Sequence, residues 1–261
     1  MLNWIFVLFI CISNELYAET VSTGPVPLTG LNYEISVDTR TNIDKLSDKD
    51  VSVRLNAVLS LSAEEDEKNV VYFLKMLQDK NSIIRDASIK GLIRCGKPNI
   101  VGPEFIKNLD IEKDHRIKIA YVQAMGQIKY TKGIPELEYL LKDNSPVLRT
   151  FALKALAEIG SPLAFNSITY MLNDMAEGVK ITAAESVAEL KIKSAQQNLI
   201  KNLSHPIFNV QKSMIKALGE VGDIRAKIEL EKLLKNEKLA DTVKIALDKI
   251  EKRESARIKK K

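Results

Sequence analysis

The sequence predicts an all-α chain in which one pair of helices is copied along most of the length. Three observations carry this. Ala, Leu, Ile, Lys and Glu dominate while aromatics make up only 6%, so helix formers outweigh strand formers. A nine-residue pattern recurs with a period near 31 residues. Gly and Pro are few, 11 and 8, and several of them punctuate that pattern at equivalent points. With 45% hydrophobic and 28% charged residues in 261, the composition is that of a folded chain with a substantial core.

Residues 1–18 read as a secretory signal. A mostly apolar run from Met1 to Ile12 is followed by a polar stretch ending at Ala18, the expected cleavage site. The run falls short of the about 20 residues that span a bilayer. Two features depart from the usual signal: no Lys or Arg precedes the run, and Leu16 is large for its place. A buried N-terminal helix is the alternative. Ile10 is bulkier than a lipoprotein signal wants before Cys11. Residues 19–45 form an extended linker, small and Pro-containing in "ETVSTGPVPLTG" and strand-like in "LNYEISVD", with apolar residues at Leu31, Tyr33, Ile35 and Val37.

Residues 46–251 hold the repeats. "VRLNAVLSL", "IRDASIKGL", "IKIAYVQAM", "LRTFALKAL", "VKITAAESV", "VQKSMIKAL" and, more weakly, "TVKIALDKI" start at Val53, Ile84, Ile117, Leu148, Val179, Val210 and Thr242. Eight residues on stand Leu61, Leu92, Met125, Leu156, Val187, Leu218 and Ile250. Apolar residues at i, i+4 and i+8 make one face of a first helix. Gly96, Gly160 and Gly222 fall at one point after it, where a left-handed cap is expected. A second helix follows, as in "NVVYFLKML" and "GIPELEYLL". Pro103 and Pro135 are placed near the starts of second helices and Pro146 near the start of a first, where proline gives up no useful donor. One pair cannot bury its apolar stripe alone, whereas stacked pairs can.

The acid-to-base spacing followed by Ala-x-x-Ala-Leu-x-x-x-Gly, clearest in Asp143, Arg149, Ala152, Ala155, Leu156 and Gly160, resembles the HEAT repeat family, specifically the short HEAT-like repeats of phycobilin lyases. The resemblance covers about residues 46 to 251. It implies a right-handed α-solenoid of six to seven two-helix repeats whose usual role is binding. It says little about the ligand.

Five repeats keep an acid six residues before a base: Asp48 and Arg54, Asp79 and Arg85, Glu112 and Lys118, Asp143 and Arg149, Asp174 and Lys180. In the sixth, both are replaced together, by His205 and Gln211. An active site occurs once, so a motif used five times is read as a structural ladder that sets the stacking angle. The carboxylate can meet free amides at a helix start. The base can reach it or the adjacent repeat's acid.

A second row runs along the second helices. The third-last residue of each is Lys75, Lys107, Tyr139, Tyr170, Lys201 and Lys232, with one extra residue of offset in the second repeat. Two positions earlier stand Phe73, Phe105, Leu137, Ile168, Leu199 and Leu230, assigned to the core. Two residues turn a helix by about 200°, so the row should face away from that core. The family resemblance implies that second helices line the concave surface. The row would then be a partner-binding track, with two tyrosines between basic ends that favour an acidic partner. The plain alternative is solvated lysines and two tyrosines covering apolar neighbours.

Residues 252–261, "KRESARIKKK", hold six bases and one acid, a balance of +5 that equals the net charge of the whole chain. Everything before the tail therefore sums to zero, which argues against nucleic acid, and the basic tail is read as a frayed helix or coil, either a solubilising cap or suited to anionic envelope surfaces. Cys95 has no disulfide partner after signal removal and is read as a small buried hydrophobe. His115 and His205 lie 90 residues apart and neither adjoins Glu. No zinc-type Cys cluster, phosphate loop or nucleophile elbow appears. The expectation is a non-enzymatic scaffold without a cofactor, exported to the bacterial periplasm or secreted, that binds a protein or peptide on its concave face. A bilin-lyase-like enzyme and a binder of nucleic acid or anionic surfaces are the alternatives.

Overall fold

Helix starts are set by short polar side chains. In the computed structural model, which describes residues 38–258, Asp50, Asn81, Asp114 and Ser145 each sit in extended backbone and accept an amide of the following first turn. Such a cap contributes about 1 kcal/mol. The equivalent residues before the next two first helices are Ala176 and Ile207, and neither caps.

The helices in chain order are α1 (Asn42–Lys45), α2 (Val51–Ala63), α3 (Val70–Met76), α4 (Ser82–Cys95), α5 (Pro98–Ile111), α6 (His115–Gln127), α7 (Ile134–Leu140), α8 (Pro146–Ile159), α9 (Phe165–Tyr170), α10 (Glu177–Glu189), α11 (Gln196–Lys201), α12 (Phe208–Val221), α13 (Ile224–Glu231) and α14 (Glu237–Ile258). No strand occurs among the described residues. From α2 onward the helices pair as repeats 1 to 6, first helix then second, and α14 closes the row as the first helix of repeat 7. Each first helix packs on the next, from α2 against α4 to α12 against α14. The result is an all-α solenoid.

The core is the predicted stripe. Leu92, Met125, Leu156, Val187, Leu218 and Ile250 are fully buried, and so are the residues four earlier, from Ser88 to Ala246. Apolar burial at about 25 cal/mol per Å2 makes this stripe the main source of stability.

The turns between first and second helices are of two kinds, and glycine marks them differently from expectation. Gly160 is left-handed, with φ 68°. Gly96 and Gly222 are not: both are extended, at φ −93° and −68°. There glycine is needed for room, since a Cβ on Gly222 would stand 2.5 Å from the Leu218 carbonyl oxygen. The left-handed conformation is instead taken by Glu65, Lys129 and Lys191, the equivalent residues of repeats 1, 3 and 5. Every left-handed turn leads into a 3-10 turn before the second helix, whereas after the two extended glycines α5 and α13 begin directly. Pro103 consequently lies inside α5, and Pro98 takes the first position.

The N-terminal described end also differs from expectation, and the C-terminal one takes the helical of its two readings. α1, capped by Thr41, occupies the end of the stretch read as linker. α14 runs through residues 252–258, so most of the basic tail continues a helix. Arg253 within it donates to the carbonyls of Gly219 and Gly222 at 2.6 and 2.7 Å, clasping the end of α12. The expected signal (1–18), the strand-like segment (31–37) and residues 259–261 lie outside the described residues.

Three arginines cross-link neighbouring repeats. Arg54 grips Asp79 through Nε and Nη2 at 2.8 and 3.0 Å, Arg85 grips Glu112 at 2.8 and 2.9 Å, and Arg149 grips Asp174 at 2.8 and 2.7 Å. The remaining Nη1 donates to the backbone carbonyl of the acid in its own repeat, Asp48, Asp79 or Asp143. The guanidinium thus takes the next repeat's carboxylate and its own repeat's backbone. Each carboxylate also accepts the amide two residues on, as Asp79 does from Asn81 and Asp174 from Ala176. Arg40 supplies a cation to Asp48 at 2.6 Å. Lys118 and Lys180, which hold the arginine's place in two repeats, form no ion pair among the described residues.

Candidate functional site

The outward face of the second helices follows from helical geometry. Phe73, Phe105, Leu137, Ile168, Leu199 and Leu230 are all fully buried. Two residues further on, Lys75, Lys107, Tyr139, Tyr170, Lys201 and Lys232 are all exposed. Tyr139 and Tyr170, on α7 and α9, the second helices of consecutive repeats, are 71% and 73% exposed. Neither phenol bonds to another described residue. The Ser167 hydroxyl of α9 reaches Glu138 of α7, so the two tyrosines stand on adjoining helices.

The charges on this face are more balanced than the bare row suggests. Lys107 is paired within α5, to Glu104 at 3.7 Å, and Lys232, just after α13, to Glu229 at 2.6 Å. Lys75 and Lys201 have no ion pair among the described residues. Beside the tyrosines lie carboxylates. Glu138 accepts the Ser167 hydroxyl across the repeat boundary at 2.5 Å, and burial together with Asp110 raises the Glu136 carboxyl. The centre of the row is aromatic with an acidic margin, and uncompensated positive charge sits on one lysine towards each end.

Groups that could do covalent chemistry are scattered. Cys95 closes α4 and is buried, and that burial pushes its thiol up. His115 is exposed at the start of α6, and His205 accepts the Ile207 amide at Nδ1, 3.1 Å away. No cluster of three metal-ligating side chains occurs among the described residues, and no described helix is long and apolar enough to cross a membrane. What the face offers is contact area: flat aromatic surface with charges at its rim.

HEAT repeats match residues 102–174 and 165–248, together more than half of the chain. The chain belongs to the HEAT-repeat family. Among solved structures it is similar to YibA of Escherichia coli, with 25% identity over 80% of each chain and a TM-score of 0.59. An engineered protein, 18% identical over 80% of this chain and 67% of its own, has a TM-score of 0.52 and speaks for the fold alone. The CpcE and CpcF complex of phycocyanin lyase from Nostoc is 20% identical over 89% of this chain and all of its own, with a TM-score of 0.49. No curated protein matches the chain in sequence.

Sequence reasoning missed two things here. It left open which acid each arginine takes. It also passed over the turns before the first helices, although aligned copies show "DKD", "DKN" and "EKD" giving way to "DNS", "DMA" and "HPI".

Proposed function

We propose that this HEAT-repeat scaffold is exported and holds a protein or peptide partner on its concave face, along the exposed side of its second helices, with Tyr139 and Tyr170 as anchors. The observation that carries the reading is the pair of highly exposed tyrosines in register on adjacent repeats. Tyrosine brings a large, stiff contact surface at small entropic loss, and such residues dominate binding energies. Lys75 and Lys201 would steer acidic groups of the partner to the ends of the row. Export rests on the apolar N-terminal run and Ala18.

Capture from the cell envelope with the full chain as bait tests the binding. Changing Tyr139 and Tyr170 together to Ala should weaken capture at least about tenfold, as hot-spot losses do, and leave the thermal midpoint nearly unchanged. Collapse of the fold instead would put both rings in the core. Export is tested by the N-terminus of the mature protein, expected at Glu19.

A further inference from the structure

The turns that enter the first helices change character midway along the solenoid. In repeats 1 to 3 they carry Lys49 and Asp50, Lys80 and Asn81, Lys113 and Asp114. Repeat 4 keeps a polar turn, Asn144 with the cap Ser145, and its exposed Val147 has a counterpart in Ile83 of repeat 2, 52% against 56%. In repeats 5 and 6 apolar side chains stand out instead: Met175 is 98% exposed, Ile207 37% and Phe208 40%. Apolar surface is thus exposed at two consecutive turns, with Phe208 beside Ile207.

Two features show that this patch opposes stability. Ile207 stands at φ −89°, ψ 120°, and Asn81, which caps its helix, at φ −92°, ψ 122°. The backbone is ready for a capping residue and the sequence places isoleucine there. Ala176, at φ −87° and ψ 127°, forgoes the same hydrogen bond. Met175 lies wholly in solvent and contributes nothing to the core.

The arginine ladder has a vacancy at the same place. Asp79 and Asp174 follow their arginines by 25 residues. Counting 25 from Lys180 reaches His205, so this joint has a cation and no carboxylate. Lys180 is half-buried and forms no ion pair among the described residues. A second cation, Lys212, lies 5.9 Å from the centre of the Phe208 ring and likewise has no carboxylate partner. Lys180, five residues after Met175, and Lys212, beside Phe208, are thus cations without an ion pair among the described residues near these apolar turns.

We propose that this edge is a second docking surface, taking a peptide segment that presents a carboxylate beside apolar side chains. The carboxylate completes the missing rung at Lys180, and the apolar side chains cover Met175, Ile207 and Phe208. Methionine suits such a surface because its unbranched, polarisable chain adapts to the shape laid on it. The partly buried setting of Lys180 strengthens the charge contact relative to open solvent. The surface lies in the turns beyond the second helices, so it does not rest on the tyrosine row.

The probe is a library of random-sequence peptides selected on the immobilised full chain. Selected peptides should carry Asp, Glu or a free C-terminus next to Leu, Met or Phe. Their affinity should fall at least about tenfold with Met175→Asp or with Lys180→Glu, and the Lys180→Glu loss should be recovered when the peptide's acid is changed to Lys. Ile207→Asn separates binding from folding, because it should raise the thermal midpoint by restoring the cap while lowering peptide affinity. The Tyr139→Ala, Tyr170→Ala double variant should leave the affinity unchanged.

Several results would overturn the proposal. One is selected peptides without a carboxylate, or ones indifferent to both charge and Met175 changes. Another is a loss caused by the tyrosine variant, which would move the site to the helix face. A dimer seen in sedimentation and dissolved by Met175→Asp would make the occupant a second copy. Binding to phosphatidylglycerol vesicles abolished by Met175→Asp would make it a membrane. Unfolding by both Met175→Asp and Ile207→Asn would return these side chains to the core.

Discussion

The joint between repeats 2 and 3 and the joint between repeats 3 and 4 hold similar helices by different means. At the first, Arg85 and Glu112 make a forked contact near the starts of α4 and α6, with side chains only 15% and 7% exposed. At the second, Lys118 stands where arginine would and forms no ion pair among the described residues. There the opposite ends of α6 and α8 close up instead, at Gly126. A Cβ on Gly126 would stand 2.8 Å from the Ala155 Cα, so the two backbones nearly touch. One joint is set by a planar donor matched to a carboxylate, the other by a missing side chain. Lysine cannot replace the fork, because an ammonium is a point charge on a flexible stem. An angle between repeats can therefore be fixed at either end of the first helices.

The largest expected effect is at the charged joint. Arg85→Ala leaves the Glu112 carboxylate buried without its cation and should cost about 3 kcal/mol in urea unfolding. Lys118→Ala should cost no more than about 0.5 kcal/mol. Equal losses would end the distinction between the joints.

Next comes the close-packed joint. Gly126→Val forces α6 from α8 and should cost about 2 kcal/mol, an overpacking penalty in which the backbone of Ala155 has no rotamer to yield. Gly178→Ala is the control. Nothing lies within 4 Å of its added Cβ. That substitution should be neutral or stabilise by up to about 1 kcal/mol. A thermal midpoint unmoved by Gly126→Val would sink the close-approach account.

Acid should loosen the charged joint preferentially. Burial alone would raise the Asp79 and Glu112 carboxyls, but hydrogen bonds from Arg54 and Arg85 and from nearby amides outweigh it and hold both below the usual range. Asp223 is pulled to about 2, first by its hydrogen bond to Arg225. Since the folded values lie below the unfolded ones of about 4, this stability is present at neutral pH and is lost as pH falls through the folded values. The urea midpoint should drop below about pH 4, and Arg85→Ala should remove the Glu112 share of that drop while Lys118→Ala leaves it intact.

The smallest effect is a gain. Lys118→Arg offers a fork to Asp143 and should stabilise by at most about 1 kcal/mol, an increment that a cycle with Asp143→Asn should abolish.

Much of the molecule was legible in the residues. The register from Leu61 to Ile250 repeats because each first helix needs the same buried stripe, and such a stripe is a local pattern. The exposure of Lys75, Tyr139 and their equivalents follows from helix geometry once the core residue two positions back is identified. The roles of Gly96 and Gly222 were not legible, since an extended glycine needed for room and a left-handed one look alike in a sequence. Nor was the choice of acid by Arg54, Arg85 and Arg149, because two carboxylates lie within plausible reach of each base and only the stacked neighbour decides between them.

The sequence by itself determined the helices, their pairing and which side of each is apolar, since these depend on side chains a few residues apart. Stacking decided the rest. It turned acid–base pairs into cross-repeat rungs and brought Gly126 against Ala155. Each of those contacts joins residues some 25 to 30 positions apart in the chain, and it exists only where one repeat lies on the next.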